Sequence, residues 1–138
     1  MIYLDANVFL RAATSVEPVG IAARKVLSAV RTGRLEAITA SLTFDELTYA
    51  VWKEMGKEAA ISFCKAFLAI EKLKVKEVTR ASLANSLEFM EQGMKPRDAI
   101  HCAVMKETNT TDLLSDDAEF DKILTLNRRS ILEFASKQ

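Results

Sequence analysis

The chain of 138 residues contains two cysteines, one histidine, one tryptophan, two prolines and four glycines, and its formal charge is zero. Each scarcity excludes something. Cys64 and Cys102 fall in apolar helical surroundings without C-x-x-C spacing. That argues against zinc binding and disulfide pairing, and for buried free thiols in a reducing cytoplasm. No apolar stretch approaches the roughly 18 residues needed to span a bilayer. The N-terminus has Asp5 where a secretory signal wants a basic flank and a longer apolar run, so export is not expected. With 19 acids against 19 bases, no global field draws the chain to nucleic acid. The few glycines and prolines form no linker, and no internal repeat is visible, so residues 1–138 read as one domain with one substantial core. A hydrophobic fraction of 49% argues against disorder.

What is present is an alternation of short apolar runs and helical periods. Residues 1–4 read as a buried strand and 7–12 as a short helix. Glu17 and Pro18 open a helix to about Thr32, because proline suits a first turn, and Gly33 stops it. Leu35 to Thr39 is a strand; Ser41 caps a helix through about Met55, and Gly56 breaks it. Lys57 to Ile70 forms a helix with Ile61, Cys64, Phe67 and Leu68 along one stripe. Leu73 to Val78 alternates as a half-exposed edge strand. Thr79 caps a helix to about Gln92, and Pro96 starts another that ends near Glu107. Asp112 to Ser115 is a strand, Phe120 belongs to a helix, and the tail from Ser130 is helical. Strands separated by helices imply an α/β fold, a parallel sheet with helices on both faces.

Two of the strands end in acids. Met1-Ile-Tyr-Leu delivers Asp5 and Asn7 into the following turn, and Leu113-Leu114-Ser115 delivers Asp116 and Asp117. If the two strands are neighbours, these acids meet at the sheet edge where ligands of open α/β folds bind. Asp5 and Asn7 are also good helix N-caps. Glu46 shares a helical face with Thr43 and Ala50, from which it can reach a strand end, while Leu47 and Val51 point to the core. Asp45 lies on the side of Tyr49 and Trp52, two aromatics for which core packing is the simpler reading and an exposed patch for a partner helix the other.

Asp98 stands in the first turn of a helix that is apolar nearly all round, so burial there demands a partner charge or metal beyond the helix dipole. His101, three residues on, reads as packed or hydrogen-bonded rather than as a ligand. Between Asp98 and Asp121 there are seven acids and one lysine, whereas residues 1–40 hold five bases and three acids. Two unit charges about 5 Å apart repel by about 3 kcal/mol at an effective dielectric of about 20. Four such acids ionised together require a cation, and an all-oxygen set selects Mg²⁺ or Mn²⁺ over zinc.

These residues resemble the motifs of the PIN-domain ribonucleases, most closely the VapC-type toxins of toxin–antitoxin modules. Ile2-Tyr-Leu-Asp-Ala-Asn-Val-Phe-Leu is similar to the family's first strand, and Ser41-Leu-Thr-Phe-Asp-Glu-Leu to the helix bearing its second acid. Pro96-Arg-Asp-Ala-Ile-His-Cys-Ala resembles the helix of the third acid, and Leu114-Ser-Asp-Asp-Ala-Glu-Phe-Asp the final motif. His101 and Cys102 stand where small apolar residues are more usual, and Asp116 beside Asp117 leaves the register of the last acid open by one position.

The resemblance implies a three-layer, flavodoxin-like parallel sheet and a Mg²⁺- or Mn²⁺-dependent endoribonuclease. It assigns catalysis and metal binding to Asp5, Glu46, Asp98 and Asp117, with Asp116 the alternative to Asp117, and orientation of the carboxylates to Asn7 and Ser115. Arg11, Lys95 and Arg97 are the nearest bases in sequence for RNA. A homodimer, a VapB-like antitoxin partner and a cytoplasmic, membrane-free setting are also implied. A PIN nuclease of RNA processing or quality control, or a non-catalytic RNA- or protein-binding PIN module, shares the motifs. A haloacid-type phosphatase would need an aspartate in place of Asn7. A receiver domain would need a lysine after a late strand, and none follows Ser115 before Lys122.

Overall fold

The computed structural model describes every residue, Met1–Gln138. Five strands, β1 (Ile2–Leu4), β2 (Ala37–Ala40), β3 (Leu73–Lys76), β4 (Asp112–Leu114) and β5 (Asn127–Arg129), form one parallel sheet in the order β3-β2-β1-β4-β5. Seven helices connect and follow them: α1 (Ala6–Thr14), α2 (Pro18–Arg31), α3 (Leu42–Met55), α4 (Lys57–Leu68), α5 (Arg80–Glu91), α6 (Pro96–Glu107) and α7 (Ile131–Ser136). A 3-10 turn spans Ala118–Lys122.

The pleat of β1 explains the layers. Ile2 and Leu4 face one side and Tyr3 the other, as successive strand residues must. Ile2 and Leu4 join Val8, Val26, Leu47, Phe67 and Phe134 in the core beneath α1, α2, α3, α4 and α7. Tyr3 joins Ala99, Cys102, Met105 and Phe120 in the core beneath α5, α6 and the 3-10 turn. A strand covered on both faces can carry no charge, and all three residues of β1 are buried. Each such aliphatic side chain contributes about 1.5–3 kcal/mol on burial.

Strand order then creates the site. From β1 the chain moves outward to β2 and β3, and returns across β1 to place β4 on its other flank. Tyr3 pairs with Leu113 and Leu4 with Leu114, so both apolar runs end level with each other. Crossovers on either side of this pair diverge and leave a crevice beyond the strand ends. No helix is long and apolar enough to cross a membrane.

The expected class and most elements are observed, with five differences. β2 begins at Ala37, not Leu35, because the N–H groups of Arg34 and Leu35 both donate to Ala29 O as the chain wraps off α2. Ser41 stands at the start of α3 without capping it; its hydroxyl accepts from Val78 N–H at 3.0 Å and ties α3 to the end of β3. The buried stripe of α4 runs through Ala60, Cys64 and Phe67, while Ile61 is 46% and Leu68 65% exposed. Tyr49 and Trp52 are not core residues but stand 61% and 50% exposed on α3. Finally, β5 was not expected: Asn127, Arg128 and Arg129 are polar, and only pairing with β4 makes them a strand.

Thr39 links these layers. Its buried hydroxyl donates to Leu4 O at 2.7 Å and lies 2.7 Å from Thr43 Oγ1, fixing the end of β1 to α3. Thr39→Val keeps the shape and strands both partners, so the unfolding free energy in urea should fall by about 1–3 kcal/mol. An unchanged midpoint would show that the bridge carries no stability.

Candidate metal centre

Asp5 immediately follows β1 and is buried. One carboxylate oxygen accepts from Ala6 N–H at 2.8 Å, capping α1, and the other from the Ser115 hydroxyl at 2.7 Å. Helix capping and a site role are therefore compatible in this residue. Ser115, just past β4, is fully buried and acts as a hub. It also accepts from Asp117 N–H at 3.0 Å and from the Asn7 amide at 3.3 Å. The Asn7 carbonyl oxygen, Oδ1, is buried and has no hydrogen-bond partner.

The neighbouring acids divide their work. Asp116 accepts from Ile131 N–H at 2.9 Å and so faces the start of α7. Asp117 accepts from Glu119 N–H at 3.0 Å and lines the crevice. Asp98 sits in the first turn of α6, and Glu46 projects from α3. Asp5, Asn7, Glu46, Asp98 and Asp117 thus line one cavity of about 270 Å³, with Arg97 at its edge. Of the other two bases proposed from sequence, Arg11 and Lys95 are exposed and lie outside its wall.

The carboxylates do not converge on a point. No three acidic, imidazole or thiol groups have the geometry to chelate one ion. The reason is visible in their partners: Asp5 is held by Ser115 and α1, Asp117 by Glu119 N–H, and Glu46 by His101. Electrostatic cost remains. Burial, and then the charges of Asp5 and Asp117, push the Asp98 carboxyl from 3.8 up to about 6. Burial also raises Asp5, against the pull of His101 and Ser115.

His101 is packed and hydrogen-bonded as its sequence setting suggests, but its partners could not be read from sequence. It is fully buried in α6, with Nε2 2.5 Å from Glu46 Oε1 and 3.9 Å from Asp5 Oδ1, and Nδ1 2.6 Å from the Tyr3 hydroxyl. Its carboxylate neighbours raise its pKa against the opposing effect of burial. The signals available were its position one turn after Asp98 and the inward alternation of Tyr3.

The donor set suits a hard dication. Four carboxylates and an orphaned amide oxygen are all oxygen acceptors, the donor type that Mg²⁺ and Mn²⁺ take, and the orphaned oxygen is open to a hydrogen-bond donor or a cation. Without one, the site should weaken the fold as it ionises. Asp98, Asp5 and His101 all bind protons more tightly folded than unfolded, so each contributes stability at low pH that is lost as pH rises. For Asp98 the window runs from 3.8 to about 6. Thermal unfolding in EDTA should therefore show Asp98→Asn gaining on the wild type as pH rises through that window, and Mn²⁺ should close the gap. A gap that narrows with rising pH would contradict the charge repulsion.

The PIN domain family model matches residues 2–124. No curated protein matches the chain. Among solved structures, VapC20 of Mycobacterium tuberculosis, a Sarcin-Ricin loop cleaving toxin, is similar with a TM-score of 0.73 at 16% identity, over 88% of this chain and 93% of that one. VapBC2 of Rickettsia felis, bound to a DNA fragment from its promoter, gives 0.71 at 20% identity over 94% and 98%. PAE2754 of Pyrobaculum aerophilum gives 0.67 at 20% identity over 99% and 96%. At these identities the structural likeness is one of fold. The family match runs through all four strand-end and helix motifs that build the cavity, and the chain belongs to the PIN domain family.

Proposed function

We propose that this protein is a Mg²⁺- or Mn²⁺-dependent endoribonuclease, the toxin of a VapBC-type toxin–antitoxin pair, acting in the cytoplasm as a homodimer. The observation that carries the reading is the cavity at the carboxyl ends of β1 and β4. There four carboxylates and Asn7, whose Oδ1 is buried and unpartnered, line one space.

In this reading Asp5, Asp98 and Asp117, which do not converge on a point without it, would hold the cation, and Glu46 would hold a second ion or orient the attacking water. Asn7 and Ser115 fix the carboxylates, with Ser115 doing so for Asp5 at 2.7 Å. Asp116, committed to Ile131 N–H, plays no part. A dication held there would supply a water of lowered pKa and positive charge against the phosphodiester. Arg97, on the cavity edge, is placed to meet a backbone phosphate, a contact that positions without reading sequence. A chain with no net charge and few bases at the site should bind RNA weakly, and salt should weaken that binding only in proportion to the few phosphates contacted.

Support for a toxin over a processing nuclease comes from the relatives, several of which are toxin–antitoxin assemblies. A VapB-like antitoxin has a surface to meet here. Tyr49 lines the acidic cavity and, with Trp52, forms an exposed aromatic patch beside it. A segment lying on that patch would reach the carboxylates. Leu83 and Leu87, one turn apart and exposed on α5, offer apolar area to a second copy.

Purified protein with labelled RNA and Mn²⁺ should give internal cleavage that EDTA abolishes. Asp5→Asn and Asp98→Asn should each reduce it by roughly 100-fold or more, the scale of losing several kcal/mol of charge stabilisation. Cleavage that persists in EDTA, or in both variants, would contradict the mechanism.

A further inference from the structure

One buried group behind the cavity has no part in the reading above. Tyr3 comes from β1, His101 from α6 and Glu46 from α3, and two hydrogen bonds run through them in series. The Tyr3 hydroxyl lies 2.6 Å from His101 Nδ1, and His101 Nε2 lies 2.5 Å from Glu46 Oε1. The phenol and imidazole rings meet edge to face, with centroids 5.6 Å apart. Both side chains are fully buried, whereas Glu46 reaches the cavity. The same three elements carry Asp5, Asp98 and Glu46, so this line of contacts ties together the backbone that presents three of the four acids.

The chemistry of the atoms sets the direction. An ionised carboxylate only accepts, so His101 Nε2 bears the hydrogen and donates to Glu46. Nδ1 then faces the Tyr3 O–H. In a neutral ring the phenol donates to Nδ1; in a protonated ring it accepts instead. Glu46 is held either way. With Oε1 taken by His101, Oε2 is the oxygen available to the cavity. A packing role alone would need only an apolar group at position 101, where neighbours such as Ala99, Ala103, Val104 and Met105 are apolar and buried. The ring instead directs one nitrogen at a cavity carboxylate and the other at a hydroxyl that braces it.

We propose that His101, braced by Tyr3, is a positioning residue that fixes the Glu46 carboxylate and so sets how tightly the cavity takes a divalent cation. This rests on the metal-site reading of the cavity in which Glu46 holds a cation. It also places His101 behind the carboxylate and out of the ligand set. Groups that orient a ligand from behind typically change metal affinity by about 10- to 100-fold when removed.

The test is Mn²⁺ binding by purified protein, read by electron paramagnetic resonance and independent of RNA cleavage. His101→Leu should weaken binding by roughly 10-fold or more, and Tyr3→Phe by a few-fold. His101→Gln, whose amide N–H can reach Glu46, should recover most of the loss. The sharper readout is coupling: in a Glu46→Gln background, neither His101→Leu nor Tyr3→Phe should weaken binding further. In cleavage assays the Mn²⁺ concentration for half-maximal rate should rise more than the saturated rate falls. Should His101→Leu fail to fold, Tyr3→Phe alone and with Glu46→Gln completes the cycle, since it deletes one oxygen. Wild-type affinity in folded Tyr3→Phe and His101→Leu, tighter binding, or an equal loss without Glu46 would each overturn the role of His101 while leaving the metal site standing. A wild-type protein that binds no Mn²⁺ would overturn both.

Discussion

Everything in this molecule is arranged around mutual repulsion among carboxylates at the end of a parallel sheet. Asp5 is buried at the tip of β1, and burial together with the charges of Asp5 and Asp117 raises the Asp98 carboxyl. Such a cluster is unfavourable in a folded chain unless something opposes it. Here the opposition is local and piecemeal. A helix N-terminus and the Ser115 hydroxyl hold Asp5, a backbone N–H holds Asp117, and an imidazole holds Glu46. What these donors leave unmet is an excess of oxygen acceptors, including Asn7 Oδ1. That excess is the physical ground on which a dication is proposed for the cavity.

The rest of the fold supplies the rigidity this tension requires. β1 and β4 lie side by side in the middle of the sheet, with apolar layers on both faces. Thr39 and Ser41 stitch α3 to the strand ends, through a buried and a part-buried hydroxyl respectively. Charged residues elsewhere stay peripheral: Lys74 and Lys76 lie on the outermost strand, where charge discourages edge-to-edge association. Arg128 of the opposite edge strand pairs with Asp121 and donates to Ser115 O, so even the short β5 braces the loop that carries Asp117.

Much of this was legible in the residues because apolar periodicity and strand-end acids are strong local signals. The uncharged tetrad before Asp5, Pro96 ahead of Asp98 and the capping Thr79 each mark an element by its own chemistry. Other features depended on tertiary context. β5 is three polar residues whose strand character comes from its neighbour. The α4 stripe keeps Cys64 and Phe67 but takes in small Ala60, while Ile61 and Leu68 face out. Tyr49 and Trp52 looked like core by type and prove to be surface. Asp116 and Asp117 could not be told apart in sequence, and in the fold Asp116 accepts from Ile131 N–H while Asp117 lines the cavity. His101 was ambiguous for the same reason: a histidine's role is defined by what faces its two nitrogens, here residues 98 and 55 positions away.

The most direct test is an anomalous-diffraction map from crystals soaked in Mn²⁺. A peak is expected inside the cavity, bonded to oxygens of Asp5, Asp98 and Asp117, with the Asn7 amide oxygen turned toward it or toward its bound water. A map with no peak at saturating Mn²⁺, or with the ion held outside these carboxylates, would contradict the central claim.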